Sequence, residues 1–353
     1  MVNEYGYEYD TVLDEELYKK TRGEVTYGKF KGAMCFRSGR DALKAVAREF
    51  ESTDVLVPAL ACNSMILPFV MYNHNIKYYK LNKDYSINLK SLYSLISKKA
   101  KWVLFLYMDY FGNKAINDIE LEKLKAEYPS LIFIEDRTHN FLVRSSYTFI
   151  PEFTIASLRK WIDIPDGGLL WTNRELKFRD YCKDLSFFEM RLQAQCMRNK
   201  FLQCGDEEIK KRYREIFSMV TDKIDEEKLP GLMSLYSYKR ACKTNLEEVN
   251  NIHCRNAQIL IDKLYDFDFV QNESGLGDIY VAVLIKNRDI VQRKLASMGI
   301  FCTIIWPLND EQRVICDVAR DTEEHILAIY CDQRYSVEDM QYIASSVRRV
   351  CNE

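Results

Sequence analysis

Short runs of consecutive apolar residues recur through the first half of the chain, without the alternation of a half-exposed strand. Val55-Leu56-Val57-Pro58, Ile76 to Tyr79, Trp102 to Leu106 and Leu131 to Glu135 each read as a strand. Between them, helix-spaced apolar positions fill Asn63 to Tyr72, Leu89 to Ile96 and Ile119 to Tyr128. A strand apolar on both faces is buried on both faces, as in a parallel sheet flanked by helices. The rhythm predicts an α/β unit with a mostly parallel sheet.

The pattern changes after the apolar strand Leu169 to Thr172. Arg174 to Leu202 is long, charged and helical in spacing, and Asp206 to Lys228 is also charged. Pro230-Gly231 punctuates the chain and is the candidate hinge. Beyond it come a helix at Leu246 to Leu264, strands at Ile279 to Ile285 and Phe301 to Ile305, and an amphipathic helix at Val337 to Val350. The reading is a large α/β domain over 1–230 and a smaller α+β domain over 231–353. There is no internal repeat and no low-complexity segment.

Composition narrows the class. Across 353 residues, 50 Lys and Arg nearly balance 52 Asp and Glu, so no net field draws nucleic acid or a membrane surface. The basic run Lys210-Lys211-Arg212 lies among Glu207, Glu208 and Glu215 and reads as a solvated helix face. Eleven cysteines, none in a C-x-x-C spacing, and four scattered histidines argue for free thiols and against a structural zinc site. The opening MVNEYGYEYD has no secretory pattern, and no apolar run is long enough to span a bilayer. A cytoplasmic protein is expected.

Four places could carry chemistry. Arg37-Ser38-Gly39-Arg40-Asp41 opens a helical pattern, where backbone N–H groups and the helix dipole favour a phosphate. Taken alone, a plain capped helix, with Ser38 or Asp41 serving the helix end only, is the better reading. Glu135-Asp136-Arg137-Thr138-His139 follows a buried strand, at the strand end where α/β sheets bind ligands. A capped helix with a satisfied histidine fits it as well. In Ser157-Leu158-Arg159-Lys160, a lysine three residues after a serine precedes an Asp166-Gly167-Gly168 turn into an apolar strand. Burial there would lower the amine's pKa and free it to attack a carbonyl; the alternative is a lysine snorkelling from a strand end. Ser274-Gly275-Leu276-Gly277 lacks the third glycine of a nucleotide loop and reads as a turn.

In order and spacing, the first three resemble the DegT/StrS family of pyridoxal-phosphate sugar aminotransferases. Asp54 to Ala59, Tyr110-Phe111-Gly112, and Gly299 through Trp306-Pro307 to Val350 resemble other segments of that family, so the likeness spans nearly the whole chain. It implies fold type I architecture: a mostly parallel large domain that binds pyridoxal 5'-phosphate (PLP), plus the smaller domain. It implies that Lys160 forms the imine with the cofactor aldehyde and shuttles the proton. Asp136 would hold the pyridine nitrogen, and His139 the ring or its hydroxyl. Ser38, Gly39 and Ser157 would bind the phosphate, with Arg40 as a further anion contact. The implied reaction passes an amino group from an amino-acid donor, glutamate by resemblance, to a nucleotide-linked keto sugar in surface-glycan synthesis. A homodimer is implied too.

Three departures stand out. Leu60-Ala61-Cys62-Asn63 has no aromatic where the family stacks one on the ring, and Cys62 falls near the cofactor. The serine lies three residues before the lysine instead of five. No Gly-x-Asn-x-Arg stretch occurs between Arg174 and Arg198. Two other readings stay open: a fold type I enzyme acting on a non-sugar ketone, and a non-catalytic relative that binds PLP or a nucleotide sugar. Retention of both Lys160 and Asp136 counts against the last.

Overall fold

A computed structural model of the chain describes residues 2–142, 148–270 and 279–353. The Ser274 to Gly277 turn lies outside them. Eight strands form one sheet in the spatial order Lys29–Phe30, Ala33–Phe36, Gly168–Thr172, Phe153–Ala156, Leu131–Asp136, Val103–Met108, Asp54–Pro58 and Asn75–Tyr79. From Phe153–Ala156 to Asn75–Tyr79 the neighbours run parallel, and the remaining pairs are antiparallel. Val103–Met108 and Leu131–Asp136 are buried at every residue, as their unbroken apolar runs require.

The chain leaves Asp54–Pro58 for the edge strand Asn75–Tyr79 and returns on the other side at Val103–Met108. Connections therefore diverge between Asp54–Pro58 and Val103–Met108, and a crevice opens beyond the carboxyl ends of such strands. Gly39–Ala47 packs into this unit as a largely buried helix, its start pointing to the same edge.

The long helix expected from Arg174 is shorter, running Ser186–Cys204. Within residues 174–185, the backbone of residues 177–180 is taken up by two side chains that follow the Gly39–Ala47 helix. Glu49 accepts from the Lys177 and Phe178 amides at 2.7 and 3.3 Å, and Arg48 donates to the carbonyls of Phe178 and Asp180 at 2.9 and 2.6 Å. Gly205, at φ 69°, ends the Ser186–Cys204 helix and leads into Glu207–Glu226. The two pack through Phe187, Phe201, Tyr213 and Phe217.

A second core gathers around the antiparallel sheet Asp268–Phe269, Tyr280–Leu284 and Ile326–Tyr330, covered by Leu246–Lys263, Arg288–Ser297 and Val337–Asn352. The strand expected over Phe301 to Ile305 is reduced to Ile300–Phe301, which pairs in parallel with Tyr5–Gly6. The N-terminal segment thus joins the C-terminal core, where Tyr5 is buried. Residues just after Pro230 stay with the large sheet: the Met233 amide donates to the Cys35 carbonyl, and Ser234 bonds to Asp166 at 2.7 Å through both its amide and its hydroxyl.

One contact fixes how the antiparallel strands meet the Gly39–Ala47 helix. A Cβ on Gly168 would stand 2.6 Å from the Gly39 nitrogen and nearer still to the Ser38 carbonyl. Backbone on both sides leaves nothing flexible to yield. Gly168→Ala is expected to cost on the order of 3 kcal/mol by chemical denaturation. At Gly23, with φ 79° and nothing within 4 Å of the added Cβ, alanine is expected to cost only about 1 kcal/mol. Equal losses at the two positions would refute the backbone contact as the constraint.

Candidate active site at the carboxyl edge of the large sheet

The start of the Gly39–Ala47 helix is held by charge. Ser38 caps it: its hydroxyl accepts from the Asp41 amide at 3.2 Å and donates to the Asp41 carboxylate at 2.7 Å. Arg37 grips the same carboxylate through Nε and Nη2 at 3.0 and 2.9 Å. Burial pushes the Asp41 carboxyl up, but Arg37, Lys44 and Ser38 together bring it below the usual range. The Ser38 hydroxyl is therefore committed to Asp41. What the turn offers outward is main chain, since no intrahelical carbonyl can take the first-turn amides of Gly39 and Arg40. Those amides and the helix dipole favour an anion.

Two strand ends bring the remaining groups together. Asp136 ends Leu131–Asp136 and is buried, its Oδ1 accepting from the Thr138 amide at 2.8 Å. Burial raises its pKa, opposed by the Thr138 hydrogen bonds, Lys160 and His139. Thr138 also ties the neighbouring strand end in place. Its hydroxyl accepts from the Ser157 amide at 3.1 Å, and its carbonyl accepts from the Trp161 indole at 2.8 Å. Ser157 begins a short 3-10 turn, Leu158–Lys160, that closes through the Lys160 amide and the Ser157 carbonyl at 3.2 Å. His139 is wedged among the rings of Phe111, Trp306 and Tyr280, at centroid distances of 5.3, 5.4 and 5.9 Å.

A cavity of about 330 Å³ collects these groups. Ser38, Gly39, Arg40, Asp136, His139, Ser157 and Lys160, all named from the sequence, line it together. Among the described residues, the Lys160 ammonium makes no hydrogen bond or ion pair. Burial lowers its pKa, with Arg159 and Arg40 adding to the effect and Cys62 and Asp136 opposing it. An amine whose pKa is lowered in this way is a better nucleophile than an ordinary surface lysine. Arg40 reaches Asp225 at 2.7 Å.

Sequence reasoning did not name Thr138, Arg159 or Trp306 as site residues, yet all three line the cavity. Thr138 and Arg159 carried a local signal, each lying between residues that were singled out. Trp306 comes from the C-terminal part of the chain, and no spacing pattern could place it here. It supplies an aromatic wall that Leu60 to Asn63 lack. That segment is occupied otherwise: the Gln312 amide donates to the Ala59 and Ala61 carbonyls at 2.9 Å each. Cys62 does line the cavity, its Sγ 2.8 Å from the Ser64 hydroxyl.

No protein-family model matches this sequence, and no curated protein does. Solved structures match it across nearly its whole length. Helicobacter pylori PseC, an aminotransferase involved in the biosynthesis of pseudoaminic acid, is similar with a TM-score of 0.68 and 15% identity, covering 99% of this chain and 100% of that one. S. venezuelae DesV gives 0.63 and 14%, covering 96% and 88%. A GDP-4-keto-6-deoxymannose-3-dehydratase with a trapped PLP-glutamate geminal diamine gives 0.65 and 17%, covering 98% and 100%. At these identities the likeness is one of fold. The mixed α/β architecture with a mostly parallel sheet, expected from the sequence, is the fold these proteins share.

Glu135 points away from Asp136 along the strand. Its nearest partners are the Thr154 hydroxyl at 3.3 Å and Arg137 at 4.0 Å. Burial pushes its carboxyl from 4.5 to about 7, against the pull of Arg137. Between those values the native chain keeps a proton that the unfolded chain releases, so stability falls as pH rises through that window. Glu135→Gln is expected to leave stability near wild type at pH 4.5 and to raise it by about 2 kcal/mol at pH 8. Denaturant midpoints across that range test this, and a difference that does not change with pH would contradict it.

Proposed function

We infer that this chain is a PLP-dependent aminotransferase, moving an amino group from an amino-acid donor, glutamate, to a nucleotide-linked keto sugar in surface-glycan synthesis. One observation carries the reading. The Lys160 amine, without a hydrogen-bond partner among the described residues, the buried Asp136 carboxyl and the start of the Gly39–Ala47 helix face a single cavity. These residues fit the three functional ends of the cofactor: an aldehyde, a ring nitrogen and a phosphate. The fold neighbours support it further, since PseC is an aminotransferase of sugar biosynthesis. Lys160 itself favours amino transfer over the dehydratase branch of the family resembled, in which a histidine takes its place.

When bound, PLP supplies an aldehyde for imine formation and a ring that accepts electrons. The chain supplies the rest. Lys160 Nζ, with no hydrogen-bond partner among the described residues, would hold the aldehyde end and would be the base that moves the donor's Cα proton. Asp136, braced by the Thr138 amide, would face the ring nitrogen and favour a proton there. First-turn amides of Gly39 and Arg40, with Ser157 alongside, hold the phosphate. Trp306 and His139 give the cavity an aromatic wall.

This reading also includes the division of the chain into a cofactor-binding unit, 1–230, and a smaller unit, 231–353. The Tyr5–Gly6 strand and the Leu235–Lys243 helix then act as ties between them. It includes a homodimer in the cytoplasm; among the described residues, no helix is long and apolar enough to cross a membrane.

Absorbance spectra of purified protein with PLP, before and after glutamate, test the proposal. Wild type is expected to show a visible imine band that collapses with glutamate. Lys160→Ala is expected to lack the band and to transfer amine about 10²–10⁴-fold more slowly. A wild-type protein that forms no imine band would overturn the reading and favour a non-catalytic relative.

A further inference from the structure

Arg159 is the exception among the arginines around the cavity. Arg37 has Asp41, Arg40 has Asp225, and Arg191 has Glu8 and the Pro165 carbonyl, all within 3.0 Å. The Arg159 side chain is 18% exposed and lines the cavity beside Lys160, yet its guanidinium makes no hydrogen bond among the described residues. Its nearest acid is Glu8, at 3.7 Å. That carboxylate already belongs to Arg191, which reaches both its oxygens at 2.6 and 3.4 Å.

A guanidinium carries five donors and does not lose its charge in a protein. Leaving such a group shielded and unsatisfied is costly unless something arrives to accept from it. Burial above all, with Arg191 and Arg40 adding to it and Glu8 opposing, pushes the Arg159 pKa down to about 10, so its protein surroundings do not fully compensate the charge. The turn that carries it is rigid: Leu158 is fully buried, and the Arg159 amide is held by the Gly167 carbonyl at 3.2 Å. The side chain is thus held at the cavity with no hydrogen bond to its donors among the described residues and only the longer ion pair to Glu8.

We propose that Arg159 binds a carboxylate of the amino donor and so selects amino acids as donors. This rests on the aminotransferase reading above. The cofactor phosphate has its own cradle in the helix start and Ser157. The diphosphate of a nucleotide sugar would lie beyond the sugar ring, outside a cavity of about 330 Å³ that cofactor and amino acid largely fill. The donor's carboxylate, by contrast, is one carbon from the proton that Lys160 removes, so it must lie in the cavity where Arg159 stands. A planar fork of N–H groups also matches a carboxylate through two parallel bonds.

Glutarate, a dicarboxylate without the reacting amine, is the probe. Its binding to the cofactor-loaded chain is read by calorimetry and by tryptophan fluorescence. Arg159→Gln is expected to weaken glutarate binding at least about 30-fold, and Arg159→Lys, which keeps the charge but loses the fork, to recover only part of it. In the same variant the imine band with PLP should persist, the KM for glutamate should rise by a similar factor, and uridine diphosphate binding should hold. Unchanged glutarate binding in Arg159→Gln would overturn the proposal while leaving the aminotransferase reading intact. So would loss of uridine diphosphate binding with glutarate retained, or loss of the imine band in Arg159→Gln alone. Absence of the band in wild type would instead overturn both.

Discussion

The backbone of Gly168 lies against the Ser38 carbonyl and the Gly39 nitrogen at a separation that no side chain would permit. Much of the cavity's geometry follows from that approach. It brings the antiparallel strand Gly168–Thr172 beneath the start of the Gly39–Ala47 helix, and Gly39 in turn rests beside Ser157. The Ser157-to-Lys160 turn precedes that strand and is bonded to the Asp136 strand end through Thr138. Helix start, lysine and aspartate come from three distant stretches of sequence, and this short chain of contacts sets their spacing.

Charge around the cavity is distributed unevenly. Below the helix start, Asp41 is saturated by Arg37, Ser38, Lys44 and the Gly231 amide. In the cavity itself, Lys160 and Arg159 have no protein hydrogen-bond acceptor for their side chains among the described residues, and Asp136 has only short-range help from Thr138. The first cluster spends its charges on holding the scaffold. The second keeps them free, which is what a site for anions and carbonyls requires. Natural folds concentrate such unmet groups where they act on ligands.

Much of this was legible in the sequence, for identifiable reasons. Unbroken apolar runs gave the parallel strands, because burial on both faces leaves no polar position. Lys160 and Asp136 were legible because each sits in apolar company that an ordinary surface residue does not keep. Short strands such as Lys29–Phe30 and Ala33–Phe36 show too few residues for any period to register. The expected helix start at Arg174 failed because Arg48 and Glu49 capture the backbone of residues 177–180, a tertiary effect that overrides local spacing. Trp306 was invisible as a site residue for the same reason: its place depends on how the C-terminal part docks.

The Tyr5–Gly6 strand has a bearing on how the chain assembles. The Gly6 amide donates to the hydroxyl of Tyr335, 329 residues away, and Arg334 reaches back to the carbonyls of Glu8 and Tyr7. At synthesis rates of about 5–20 residues per second, residues 5–6 leave the ribosome roughly 15–60 s before their strand partners. The large sheet needs nothing beyond residue 172 for its strands and can form in that interval. The C-terminal layer cannot close until its first piece, made long before, is captured by its last. Connectivity alone therefore makes that layer late to mature, and Tyr5 stays without its strand partner until then.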